Sequence, residues 1–131
     1  MKAFFIITVF LYSLVSKGQE KPKEVQSKIY TESEVSILPK LMYGSNALTR
    51  HVYRHFKAPK KAIPVPPKIQ CSFVVEIDGT ISNIQVLNTI DEYYKNEAID
   101  TLASFKEPWY PAVKDNQQVR CIHYYDINLA P

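Results

Sequence analysis

Apolar positions recur with two different periods along this chain, and each period predicts one kind of element. Between residues 69 and 77 apolar side chains largely alternate with polar or small ones, which is the period of a half-buried strand. Further strand-like stretches lie at residues 81–86 and 119–129, whereas residues 46–58 and 91–105 carry apolar side chains at helical spacing. The pattern therefore predicts the order helix, strand, strand, helix, strand.

Asp78-Gly79 separates the first two strands. Between alternating runs this dipeptide predicts a tight β-hairpin in which both turn residues have positive φ. In the second strand the inward positions step by three from Ile81 to Ile84 and then by two to Val86. The step of three predicts a β-bulge near residues 82–83.

Capping residues and prolines set the limits of the first helix. Ser45 or Asn46 can cap its start, and Pro59 forces it to end, because the residue before a proline avoids helical geometry. Its apolar stripe is Leu48, Val52 and Phe56. Four prolines within residues 59–67 predict an extended connector, and residues 29–44 predict either a strand or an irregular arm.

Asp91 caps the second predicted helix. The residues predicted to be buried on it are Ala98, Ile99, Leu102, Ala103 and Phe105. After this helix, Pro108 and Pro111 bracket Trp109, which predicts an extended crossing anchored by the indole.

The order of the elements restricts the sheet topology. A helix between the second and third strands makes those two strands parallel, and the first strand, antiparallel to both, fits between them. The predicted fold class is α+β, with a small mixed three-stranded sheet in the order 2-1-3 packed against two helices. The last strand is then an exposed edge, which a protein must cover or use.

The first eighteen residues have the layout of a secretory signal peptide. Lys2 precedes an apolar run over residues 3–15, and small residues at positions 16 and 18 favour cleavage before Gln19. Thirteen helical residues span about 20 Å, whereas a bilayer core is about 30 Å thick. We therefore expect an exported protein with a cleaved signal peptide and no integral membrane span.

After the signal peptide, a polar leader at residues 19–28 precedes one domain at residues 29–131. The composition excludes several classes of protein. A net charge of +3 is too small for a dedicated nucleic-acid binder. Two cysteines are too few for a disulfide scaffold or a four-thiolate zinc site.

The sequence contains no recognisable catalytic or cofactor motif. It has no Gly-rich phosphate loop, no G-x-S-x-G elbow and no HExxH helix. His51 and His55 have the spacing of a metal pair but no evident third ligand. A solvated basic face is favoured for them, shared with Arg50, Arg54 and Lys57.

Acidic side chains on the second helix do not converge as a catalytic pair. Capping and solubility explain Asp91, Glu92, Glu97 and Asp100. His123 lies within a strand and is more typical of a packed or edge residue than of a general base. We therefore expect no enzymatic activity, no metal and no cofactor.

Cys71 and Cys121 fall at core positions of two strands, and export permits a disulfide. Pairing the strands by their centres, with Phe73 opposite Tyr124, leaves the two sulfurs out of register. Two small buried thiols are the favoured interpretation. A disulfide remains the alternative, because strand register is poorly set by sequence.

Residues 73–86 resemble the pattern FxVxxDGxIxxxxV of the TonB C-terminal domain family. The resemblance continues through Glu97-Ala98-Ile99 and Trp109-Tyr110-Pro111 to the last strand, and it covers about residues 30–129. The residues that match the family's structural motif are Asp78, Gly79, Trp109 and Pro111.

The resemblance implies a non-catalytic periplasmic module that adds an extended segment of an outer-membrane receptor to its sheet edge, in transport across that membrane. Main-chain hydrogen bonds supply the affinity in such capture. The implied partner-binding residues are Arg120, Cys121, Ile122, His123 and Tyr124. Pairing of this edge with the chain's own N-terminal arm, or with a second copy in a homodimer, is the alternative.

Several residues depart from the family pattern. Ala58-Pro59 stands where Tyr-Pro is usual, and prolines at 64, 66 and 67 occupy a connector that usually carries two glycines. Gln117 and Asp126 replace a common Gly and Pro. A cleaved signal also replaces the family's inner-membrane helix. These departures favour a second interpretation, an envelope structural or interaction module that kept the fold without an energy-transducing role.

Overall fold

The computed structural model describes residues 28–129. The predicted signal peptide, its cleavage site and most of the predicted leader lie outside this range. A 3₁₀ turn at Glu32–Glu34 follows the first strand. The strands and helices, in chain order, are β1 (Ile29–Tyr30), β2 (Lys40–Leu41), α1 (Ala47–His55), β3 (Lys68–Val75), β4 (Ile81–Val86), α2 (Glu92–Ala103), β5 (Trp109–Tyr110), β6 (Ala112–Lys114) and β7 (Gln117–Asn128).

A mixed sheet forms the centre of the fold, with the strand order β1-β7-β3-β4 and β6 also paired to β7. The α+β class is confirmed, and β4, β3 and β7 lie in the predicted order 2-1-3. The expectation of three strands was wrong, because β1 and β6 extend the sheet to five. A separate two-stranded sheet joins β2 to β5. Strands of two or three residues are too short to show a period in the sequence.

Both helices pack against one face of the sheet. The odd-numbered residues of β3 contribute Ile69, Cys71, Phe73 and Val75 to the core. Helix α1 adds Leu48 and Val52, and the core also contains Tyr94, Ala98, Leu102, Phe105, Trp109 and Ile127.

The buried face of α2 differs from the predicted one. Tyr94 and Thr101 are buried and Ala103 is exposed, so the face is centred on Ala98. Residues four before and three and four after Ala98 lie on one side of a helix, whereas position 103 is rotated away from it. Asp91 caps this helix as predicted, since its side chain accepts a hydrogen bond from the Tyr93 N–H at 2.8 Å.

The hairpin at Asp78-Gly79 is present, but its turn differs from the predicted one. Only Gly79 has positive φ (+87°), and its N–H donates to Glu76 O at 3.0 Å. The loop therefore has three residues, with a helical turn followed by a left-handed glycine. Asp78 stabilises it by accepting hydrogen bonds from the N–H and hydroxyl of Thr80, which hold the pKa of its carboxyl below the usual range.

The two-residue turn with both φ values positive lies elsewhere, between β6 and β7. Asp115 and Asn116 have φ values of 50° and 63°. Both residue types tolerate the left-handed region, so the Asp115-Asn116 pair is the sequence signal for this turn. The prediction missed it because it assigned this turn type to Asp78-Gly79. The predicted bulge in β4 is confirmed: Asn83 has φ 49°, and the pairing register shifts between Ser72 and Val74.

Cys71 and Cys121 are both buried as free thiols. Phe73 pairs with His123 rather than with Tyr124, and Cys121 pairs with Val75. Cys71 thus lies four residues along β3 from the position opposite Cys121, about 13 Å at the usual rise per residue. Disulfides need Cα atoms within about 7 Å of each other, so this register excludes the bond.

We predict that neither thiol reacts in the native protein. Burial raises the pKa of Cys71 to about 12 and the pKa of Cys121 to about 11, so the reactive thiolate is scarce at neutral pH. Labelling with Ellman's reagent should detect no thiol in the folded state and both thiols in 6 M guanidinium. Rapid labelling of either cysteine before unfolding would contradict the burial of these thiols.

Candidate binding edge of strand β7

Hydrogen bonding fixes which backbone groups of β7 point away from the rest of the sheet. The Leu129 N–H donates to Pro67 O at 2.9 Å. Because antiparallel pairing alternates, the odd-numbered residues of β7 direct their N–H and C=O groups toward β3. On the other side of β3, the Leu87 N–H donates to Gln70 O at 2.7 Å, which shows the same alternation. The even-numbered residues of β7 therefore direct their groups outward.

An N-terminal arm covers the first part of this outer side. Strand β1 runs parallel to β7, with Ile29 opposite Arg120 and Tyr30 opposite Cys121. It occupies the outward groups on either side of Cys121. Strand β6 pairs with residues 117–119, ahead of the part of β7 that pairs with β3. The expectation of an exposed edge was wrong at Arg120 and Cys121. The alternative, pairing with the chain's own N-terminal arm, is confirmed there.

The arm is held at several points. Tyr30 packs against a small cluster formed by Ala112, Val119 and Cys121. The Lys28 and Lys114 ammonium groups lie 4.6 and 5.9 Å from the centre of its ring. Farther along the arm, the N–H groups of Ser36 and Ile37 both donate to Val113 O, at 2.8 and 3.1 Å. These contacts fix the arm on both sides of the 3₁₀ turn.

The Arg120 side chain takes part in a structural ion pair. Its Nε and Nη2 donate to the two carboxylate oxygens of Glu76 at 2.7 and 3.1 Å. This bidentate contact, helped by a hydrogen bond from the Ser82 hydroxyl, holds the pKa of Glu76 below its usual range. The guanidinium therefore ties the start of β7 to the end of β3.

Beyond the arm, β7 keeps an open stretch. Within residues 28–129 no strand pairs with the outward N–H and C=O groups of Tyr124, Asp126 and Asn128. These residues span about 13 Å of strand at the usual rise. We call this stretch the open edge. Of the five residues expected to bind a partner, Tyr124 alone belongs to it.

A groove adjoins the open edge on the helix side of the sheet. Its volume is about 640 Å³, within the range of about 300–1,000 Å³ typical of ligand pockets. His123 and Tyr125 of β7 form one wall. The other walls include Leu41, Met42, Leu48, Trp109 and Tyr110. No local sequence pattern predicts this groove, because its walls come from β2, α1, β5, β7 and the residues beside β2.

Trp109 and His123 sit side by side in the wall, with ring centres 5.2 Å apart. The indole Nε1 and the imidazole Nδ1 are both buried without a hydrogen-bond partner. Nδ1 lies 3.4 Å from a carboxylate oxygen of Glu32, close enough for an ion pair but without hydrogen-bond alignment. Burial lowers the pKa of His123, and the Glu32 charge opposes that shift.

The histidine pair of α1 has a structural position. His51 is half-buried, and its Nε2 lies 3.1 Å from Thr101 O, to which it donates, and 2.8 Å from Ser104 Oγ. The expectation of a solvated basic face was wrong for this residue, because the half-buried imidazole joins α1 to α2. Within residues 28–129 no group of three or more His, Cys, Asp or Glu side chains could hold a metal ion.

Glu97 also connects the helices, since its carboxylate accepts a hydrogen bond from the Lys57 N–H at 2.8 Å.

No helix in the described part of the chain is long and apolar enough to cross a membrane. Comparison with known proteins found no matching family model, no similar curated protein and no similar solved structure. The site is therefore defined by its own geometry, which consists of the open edge and the groove beside it.

Proposed function

We propose that this chain is a non-catalytic periplasmic binding module that captures an extended segment of an outer-membrane TonB-dependent receptor by edge-strand addition, in transport across the outer membrane. The observation that supports it is the run of outward backbone groups at Tyr124, Asp126 and Asn128 without a strand partner in residues 28–129. Main-chain groups of this kind bind an added strand whatever its side chains, and neighbouring pockets select among sequences.

The proposed contact lies farther along β7 than the resemblance implies. Strand β1 takes the positions around Arg120 and Cys121, so the captured segment pairs with residues 124–128. The opposite edge of the sheet, β4, is a poorer template. Its bulge at Asn83 interrupts regular pairing, and a bulge is a common means of blunting an edge.

A second candidate is an envelope interaction module that kept this architecture without an energy-transducing role. The observation that favours it is the arm itself, which fills with the chain's own residues part of the edge that the resemblance assigns to a receptor. On this alternative the open edge binds another envelope protein, and receptor segments are not its partners.

A titration with receptor N-terminal peptides from the same cell, followed by amide NMR, tests the proposal. We expect shifts concentrated on residues 124–128, and loss of binding in Tyr124→Pro, which removes an outward N–H. Tyr124→Ala is the matched control, because it removes the same side chain but keeps the N–H. Shifts elsewhere, or binding that survives the proline, would contradict edge capture. An absence of shifts with every receptor peptide would favour the second candidate.

A further inference from the structure

We infer that the captured segment carries large neutral apolar side chains at two alternate positions, and that these side chains enter the groove beside the open edge. This inference rests on the proposed edge capture and specifies the chemistry of the segment. It follows from the direction in which the side chains of an added strand point, from the residues that line the groove, and from the sequence of the chain's own N-terminal segment.

The geometry of an added strand gives the positions. Residues paired across a sheet place their side chains on the same face. A strand that hydrogen-bonds to Tyr124 and Asp126 therefore has residues opposite His123 and Tyr125 whose side chains point to the helix side. Both of these β7 residues line the groove. Two side chains separated by one residue thus point into it, while the side chain between them lies over Tyr124 on the opposite face.

The walls determine which side chains fit. Leu41, Met42, Leu48 and Trp109 present apolar surface, and Tyr110 stands at the rim with 46% of its surface exposed. Aromatic residues and methionine are enriched where proteins bind one another. Among the described wall residues, Lys40 is the one with a permanent charge, and its ammonium lies 5.6 Å from the centre of the Tyr110 ring. A cationic side chain would be repelled by this ammonium, and a carboxylate would lose hydration against the largely apolar walls.

Two further facts support a ligand at this place. Among the described residues, Trp109 Nε1 in the groove wall is buried without a hydrogen-bond partner, whereas His123 Nδ1 faces the Glu32 carboxylate. Unsatisfied buried groups are rare, and proteins tolerate them mainly where function requires it. The groove is also continuous with the open edge through His123 and Tyr125, so one extended segment can contact both.

The chain's own N-terminal segment does not match this chemistry. Residues 19–27 read QEKPKEVQS, with Val25 as the one aliphatic residue. They cannot supply two large apolar side chains at alternate positions. Residues 1–18 are rich in apolar side chains, but the predicted signal cleavage removes them. The occupant we infer is therefore a segment of another protein, and a second copy of this chain is an alternative that the experiment below distinguishes.

The test uses three seven-residue peptides, Thr-Thr-X-Thr-X-Thr-Thr, with X as leucine, tyrosine or serine. We expect the leucine and tyrosine peptides to bind at least about tenfold more tightly than the serine peptide, because each buries apolar surface. Trp109 is the sole tryptophan of the chain, so its fluorescence and its indole NMR signal report directly on the groove. Both signals should change with the leucine and tyrosine peptides, together with the amide signals of residues 124–128.

A matched pair of variants checks the position of the contact. Tyr110→Ala should reduce the preference for leucine over serine severalfold, whereas Tyr53→Ala, at an exposed tyrosine outside the groove, should leave it unchanged. Equal affinity for the three peptides, with the amides of residues 124–128 still shifting, would overturn the inference but leave edge capture standing.

Other outcomes count against the inference in distinguishable ways. If apolar peptides moved the Trp109 signals but not the amides of residues 124–128, the proposed edge capture would fail, and with it the strand geometry used here. Binding by none of the three peptides would overturn the groove chemistry, while the receptor titration would still decide the proposed function. A dimer of the unliganded protein that protects the Tyr124, Asp126 and Asn128 amides would assign the edge to a second copy.

Discussion

Gly79→Ala is expected to lower the free energy of unfolding by about 3 kcal/mol, combining about 1–2 kcal/mol for a left-handed non-glycine residue with about 1–3 kcal/mol for overpacking. The residue has a φ of +87°, and a Cβ added to it would lie 2.8 Å from Trp109 O. The atom that it meets belongs to the backbone, so no side-chain rotation can relieve the contact.

The contact cannot open cheaply, because the same two residues are hydrogen-bonded. The Trp109 N–H donates to Gly79 O at 2.9 Å. Separating the hairpin loop from β5 would break that bond and shift the indole, which packs edge-on against Phe73 with ring centres 5.5 Å apart. Two segments that carry the family resemblance therefore lie next to each other in the structure, namely Asp78-Gly79 and Trp109-Tyr110-Pro111. Pro111 lies between β5 and β6.

Gly44→Ala is the control for the backbone term. Gly44 also has positive φ, +119°, but an added Cβ would have no atom within 4 Å. Urea unfolding of both variants separates the cost of the left-handed backbone conformation from the cost of the steric contact with Trp109 O. Gly79→Ala should be the more destabilised of the two. Equal losses of stability would show that backbone conformation alone sets the requirement for glycine at position 79.

The main elements of this fold follow from local patterns, whereas the edge elements do not. The alternation from Ile69 to Val75 extends over several periods and the spacing of Leu48 and Val52 over one helical turn, and the strand and the helix that they predicted are both present. The alternation predicted a half-buried strand, but Ser72 and Val74 on its other face are buried as well. Strands β1, β5 and β6 have two or three residues each. They form strands because of the segments beside them, and tertiary context of that kind is invisible to a periodicity.

The candidate site, like the fold, could be predicted from the sequence only in part. The sequence predicted that the last strand lies at the edge of the sheet, and this holds only for the later part of β7, because β1 pairs with its start. Which half of β7 is open depends on the parallel register of Tyr30 against Cys121, and register across distant segments is weakly encoded. The groove requires Met42, Trp109 and Tyr125 to meet, although each lies in a different local pattern.

Proline substitutions at two neighbouring positions of β7 are expected to have very different effects on stability. The Tyr124 N–H points outward and has no strand partner in residues 28–129, so Tyr124→Pro should cost less than about 1 kcal/mol beyond Tyr124→Ala, since prolines are tolerated at edges with the N–H side open. The Tyr125 N–H points toward Cys71 of β3. Tyr125→Pro removes that ladder hydrogen bond and should cost about 1–3 kcal/mol beyond Tyr125→Ala, because the buried acceptor on β3 is left unpaired.

The alanine references are essential at position 125. The Tyr125 hydroxyl is hydrogen-bonded to Thr49 Oγ1 at 3.0 Å and its ring packs against the core. Tyr125→Ala therefore measures the loss of the side chain, and the step from alanine to proline measures the ladder hydrogen bond. Urea unfolding of the four variants gives both differences.

The comparison also tests the premise of edge capture independently of any partner. If Tyr124→Pro were the more damaging proline, the Tyr124 N–H would be bonded to β3, and the outward groups would belong to the odd-numbered residues. His123 and Tyr125 would then offer the backbone groups at the edge, and the proposed capture by Tyr124, Asp126 and Asn128 would fail. If proline is mild at Tyr124 and severe at Tyr125, the even-numbered residues of β7 direct their N–H groups outward. The proposed edge capture and the side-chain selectivity of the groove both depend on that alternation.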